Sequence, residues 1–153
     1  MKKYLAALAL ATAFAEPAPA TTFPVLTTIY LASGVYDDGS PDNAGIATVA
    51  NCSNVSGVTT PLRALVLNHT GQVVDTATFQ TMFHGTSVRF VTHATFYSNE
   101  VNLSSGEIDN GVINIESLQS GVFCTFTVVP AAGPAFGFPL HAVRVNPHPG
   151  TVE

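Results

Sequence analysis

Runs of four to ten residues rich in Val, Ile, Thr and Phe recur along this chain, each broken by Gly, Pro, Asn, Asp or Ser. That punctuation marks short strands joined by turns. Outside the N-terminal leader no stretch has apolar residues at helical spacing, so the body of the chain is expected to be all-β. The segments 23–32, 45–53, 62–68, 72–79, 87–93, 112–117, 121–129 and 140–145 read as strands, and 96–103 has room for another short one. A strand alternates its side chains with a period of two. Ile46, Thr48, Ala50 and Cys52 therefore share one face, and so do Val122, Cys124, Phe126 and Val128. Ile113 and Ile115 oppose Asn114 and Glu116. Segment 62–68 is apolar on both faces, with Leu62, Ala64 and Val66 against Leu65 and Leu67. That is the pattern of a strand that is central or covered on both sides. Asn68-His69-Thr70-Gly71 reads as a tight hairpin turn. Residues 104–111 read as a turn-rich loop and 130–139 as a linker rich in Pro, Gly, Ala and Phe.

The two cysteines, Cys52 and Cys124, fall on the apolar faces of two different strands. In an exported chain such a pair reads as a disulfide, the alternative being two free buried thiols. There is no Cys-x-x-Cys spacing of a redox or metal site. A bridge here would pin one sheet to the other or tie two neighbouring strands. About eight short strands and one long-range disulfide predict an antiparallel β-sandwich of immunoglobulin-like shape. The chain has no Trp, and Val122 stands where a tyrosine corner would place its Tyr. A jelly roll or small barrel fits the same pattern.

The N-terminus points to a compartment. Lys2 and Lys3 precede an apolar run from Tyr4 to Ala15, and small residues and prolines follow to Ala20. That is the layout of a secretory signal peptide. The run is well short of the ~20 residues that cross a bilayer as a helix. Cleavage after Ala20 leaves residues 21–153 as a single domain with no transmembrane segment, and Ala15 satisfies the same small-residue rule. The protein is thus expected in the periplasm or outside the cell. Residues 21–153 carry three arginines, no lysine and nine carboxylates. Nucleic-acid binding needs clustered Lys and Arg to displace counterions from phosphates, so that class is excluded. Low charge with high β-propensity favours self-association through sheet edges instead.

Short motifs add a resemblance. Gly45-Ile46-Ala47-Thr48, Cys52-Ser53-Asn54, Phe123-Cys124 and Asn146-Pro147 follow one another along the chain. In this layout it resembles small exported bacterial proteins of uncharacterised function. The resemblance implies an exported β-domain and brings no activity with it.

Candidate chemistry is sparse. The loop holding Asp37, Asp38, Asp42 and Asn43 offers the hard oxygens that calcium prefers. It lacks the spacing of an EF-hand, and Asp, Gly, Pro and Asn also build ordinary solvated turns. Glu107 to Asn110 repeats the pattern in weaker form. His69, His84, His93, His141 and His148 form no paired-ligand spacing, so imidazoles satisfied by backbone or water are the plainer reading. No Gly-x-Ser-x-Gly elbow is present, and Glu100, Glu107 and Glu116 fall beside predicted turns and surface faces. Phe123 is placed facing outward, and Phe136 and Phe138 are expected to fold back over an open sheet end. Sequons begin at Asn51, Asn54, Asn68 and Asn102, a by-product of an Asn/Ser/Thr-rich surface. No catalytic, cofactor or metal residue is assigned. The expectation is a non-enzymatic exported β-sandwich with a structural or binding role in the envelope or matrix. The alternatives are a small calcium- or transition-metal-binding module and an exported hydrolase.

Overall fold

The computed structural model describes residues 26–75, 78–133 and 136–145. The expected leader, its candidate cleavage sites, His148 and Asn146-Pro147 lie outside the described residues. The alternating segments become strands β1 (Thr27–Asp37), β2 (Ile46–Asn54), β3 (Thr60–Leu67), β4 (Thr78–Met82) and β5 (Ser87–Val91). They continue as β6 (Glu100–Asn102), β7 (Ile108–Ser117), β8 (Val122–Pro130), β9 (Phe138–Pro139) and β10 (Ala142–Arg144). No helix occurs among the described residues. Sheet I has the order β10-β1-β7-β3-β4 and sheet II the order β6-β5-β2-β8-β9.

The core lies between the sheets. Ile29, Ala32, Val35, Leu62, Ala64, Val66, Ile113 and Ile115 from sheet I meet Ala50, Phe90, Val122 and Phe126 from sheet II. Burying Phe90 completely contributes about 3 kcal/mol on area grounds. Register shifts in β1 just before Tyr30 and on either side of Val35 bulge the strand against β7. The first lets both Ile29 and Tyr30 turn inward, the Tyr30 ring lying 6.0 Å from Phe126.

Cys52 and Cys124 form the disulfide. They are direct partners in the β2–β8 ladder, with Cα atoms 4.1 Å apart. That is close to the ~4.5 Å of a non-hydrogen-bonded antiparallel pair. The bridge therefore ties neighbours within one sheet, whereas in antibody domains it joins the two sheets.

Several expectations are corrected. The described residues form ten strands, not about eight, because the 130–145 region contributes two short pieces where one was expected, and β6 forms as a three-residue strand. The pairing is not wholly antiparallel, since β6 runs parallel to β5. Residues 108–111 are strand instead of loop, because β7 finds β1 along its full length and pairing outweighs the weak propensity of Asn and Gly. Residues 72–75 do not belong to the return strand, which is described as β4 from Thr78, and Val73 makes an isolated bridge to Leu67. β9 occupies the predicted linker, its Pro139 on an edge strand where a missing N–H is tolerated. The second face of β3 is only half-buried: Leu65 and Leu67 sit on the outside of sheet I.

Candidate functional site

Asp37 ends β1 and is almost wholly buried. Its Oδ2 lies 2.7 Å from Nδ1 of His93, just beyond β5 and itself only 7% exposed. The other ring nitrogen, Nε2, lies 2.9 Å from the Ala44 carbonyl, which only accepts. Facing an acceptor at each nitrogen, the ring is best served by two protons, that is, as imidazolium. Burial opposes that charge, but the hydrogen bonds to Asp37 and to the Ala44 carbonyl, with the charges of Asp37 and Asp38, outweigh it. The His93 pKa is raised above its ordinary value. Burial works against the Asp38 carboxylate too. Backbone N–H donors from Ile46 and Ser40, the Ser40 hydroxyl and the nearby His93 charge overcome it and lower its pKa.

Asp37, Asp38 and His93 bring ligand-type atoms within 4.8 Å of one another. Each such atom is already engaged. Asp37 Oδ1 accepts from Gly39 N at 2.9 Å, and Asp38 accepts from Ser40 N at 3.1 Å and Ile46 N at 3.0 Å. Gly45 makes this possible: its φ is +66°, and a Cβ there would sit on the Asp38 carboxylate. Asp42 is not part of the cluster; its Oδ1 accepts from Ala94 N at 3.1 Å. Asn43, at φ +62°, donates its backbone N–H to Ala94 O at 2.8 Å. The loop read as a calcium candidate is therefore a clasp that closes one end of the sandwich. Thr48 extends it, its hydroxyl bonding both N and O of Tyr36 across the two sheets.

Several other polar candidates are also committed to the fold, whereas Glu107, Asp109, His69 and His141 are exposed. Glu116 pairs with Arg63, with Nε to Oε2 at 2.6 Å, and Glu100 accepts from Thr95 N at 2.8 Å. His84 Nδ1 accepts from Gly57 N at 3.1 Å. Asn54 is wholly buried, donating to Val58 O and Met82 O, so this sequon offers no accessible amide in the folded chain. Phe123 is exposed beside the Arg144 guanidinium, 5.2 Å from its ring. Phe136 and Phe138 also stand exposed, at 100% and 78%, and do not fold back.

An open groove lies on the outer face of sheet I. Two cross-strand rows lie on that face. Leu31, Asn114 and Leu65 are direct neighbours on β1, β7 and β3, and Ser33, Val112 and Leu67 make the next row. The groove they border has a volume of about 460 Å³, with Asn68 and His69 of the hairpin and Asn110 along its rim. Gly111 shapes it: a Cβ there would lie 2.7 Å from the Leu67 carbonyl, so only glycine lets β7 approach so closely. No Asp, Glu, Lys or Arg lines the groove. Asn114 Oδ1 is buried without a hydrogen-bond partner. Asn68 is fixed by its own turn, its Oδ1 accepting from Thr70 N, Thr70 Oγ1 and Gln72 N. Sequence patterning placed Asn114 opposite Ile113 and Ile115 but gave it no role. The surplus apolar face of 62–68 was the one visible sign of this surface.

Comparison with family models, with curated proteins and with solved structures finds no match to this chain.

Proposed function

We propose that this is an exported, non-catalytic β-sandwich that binds a component of the cell envelope or matrix through the outer face of sheet I. The observation that carries the reading is the uncharged groove over Asn114, where a buried amide oxygen has no partner. Native structures rarely leave such a group unpaired; Asp75 Oδ2 and Arg144 Nε are also unpaired, but of the three only Asn114 lines this groove. The Asp–His cluster favours hydrolysis less, because its atoms are spent on backbone donors and acceptors. The leader-like N-terminus, the disulfide and the resemblance to small exported bacterial proteins support the compartment. The test is sedimentation of the processed protein with isolated envelope and matrix polymer. The protein is expected to sediment, and Ser33→Trp, which fills the groove from an exposed position, to stay behind. Equal retention of both would overturn the reading.

A second reading, self-assembly, rests on one edge. β4 carries no charge and no Pro, two of the devices by which natural edges avoid pairing with other chains. Strand addition there would link copies without using the groove.

A further inference from the structure

We infer that the groove on sheet I accommodates a neutral, hydroxyl-rich ring, a sugar unit of a polysaccharide. The inference rests on the reading of this face as a binding surface and names its ligand class. It begins from Asn114. The residue sits between Leu31 and Leu65 on a half-buried sheet face, where leucine would complete an apolar row. The carboxamide instead leaves its oxygen buried and unpaired, which makes the position unfavourable for stability. The oxygen is closed off in the orientation shown, and a half-turn of the amide exchanges it for the NH2, so a ligand that turns the side chain meets a donor or an acceptor.

The rest of the lining has the same character. Ser33, His69, Asn110 and Asn114 each combine donor and acceptor capacity, as a sugar hydroxyl does. Asn68, its oxygen engaged, adds N–H donors. Leu31, Val112 and Leu67 provide an apolar strip for the C–H face of a ring. With no carboxylate or strong base in the lining, nothing there compensates a charged ligand. The volume lies in the range of small-ligand sites. An extended peptide fits less well. Peptides of that kind add to a sheet edge through main-chain bonds, whereas this groove is centred on β7, whose backbone is paired with β1 on one side and β3 on the other.

The experiment is two-dimensional NMR of the processed protein, titrated to millimolar concentration with cello-, xylo-, manno- and chito-oligosaccharides. Charged oligosaccharides and an extended peptide serve as controls. At least one neutral probe is expected to shift the Asn114 side-chain amide and the Leu31, Leu67 and Val112 signals. Asn114→Leu is expected to melt at or above the parent temperature and to lose the response, which separates binding from folding. No response to any neutral probe, a response confined to charged or peptide probes, or an undiminished response in Asn114→Leu would overturn the inference. Retention on envelope polymer that Ser33→Trp abolishes, with no neutral oligosaccharide bound, would sink the sugar assignment alone. Retention untouched by Ser33→Trp would sink the binding face itself.

Discussion

His93 shows how one residue converts an acidic turn into a structural joint. It links the end of β1 to Ala44, just ahead of β2, from a position beyond β5. Its pKa is raised in the folded state, so its stabilisation is fully present below the ordinary value of about 6.5. That stabilisation is lost as pH rises through the higher folded value. Urea unfolding followed across neutral to alkaline pH should show the parent losing stability in that window. His93→Gln should lack this loss and be weaker by about 3 kcal/mol at acidic pH, since it leaves buried Asp37 without its partner. A parent profile that is flat through this range would contradict the joint. Gly45→Ala attacks the same turn from the backbone. Its positive φ and the carboxylate beside it predict a loss on the order of 1–3 kcal/mol by thermal melting. None of this was legible in the sequence beyond the acidic turn itself. Asp37 and His93 are 56 positions apart, and only the pairing of strands brings them together.

At the scale of elements, β2 and β8 are joined twice, by nine residue pairs and by a covalent bridge. The ladder already specifies the register, so the disulfide acts mainly on the unfolded chain. Removing it with Cys52→Ala and Cys124→Val should lower stability by about 4 kcal/mol on the chain-entropy account, with the β-sheet circular dichroism retained. Urea unfolding of the variant beside the parent measures both. β4 invites a different test. Thr81→Lys places a charge at an exposed edge position and should reduce concentration-dependent association in sedimentation velocity without lowering the melting temperature. The elements were the most legible part of the fold, because alternation in 45–53, 112–117 and 121–129 directly reports a two-sided strand. Their ends were not. Whether Ile108 to Gly111 is loop or strand depends on β1 lying alongside, and the short strand β9 exists only because β8 offers it an edge.

The whole molecule is a two-layered sheet protein whose pairings are mostly distant in sequence, and that explains what patterning could and could not reveal. The cysteines read correctly as partners because both sat on inward faces, yet the sheet they would join was left open. The groove was hidden for another reason: Gly111 defines it through a missing side chain, and the outward leucines of β3 read as cover for a buried strand. The ends of the described fold also have a shared fate. β1 and β10 are antiparallel neighbours, so the strand that opens the fold and the one that closes it lead out at the same end of sheet I. Tension applied through them would peel three-residue β10 away pair by pair, as a zipper opens. Further stretching would then halt at the sulfur–sulfur link, which withholds about 250 Å of contour, 72 positions at ~3.5 Å each. Single-molecule pulling with and without a reductant should differ by that hidden length. A tethered copy of this protein would behave as a short leash under load, and only a reducing agent would let it out.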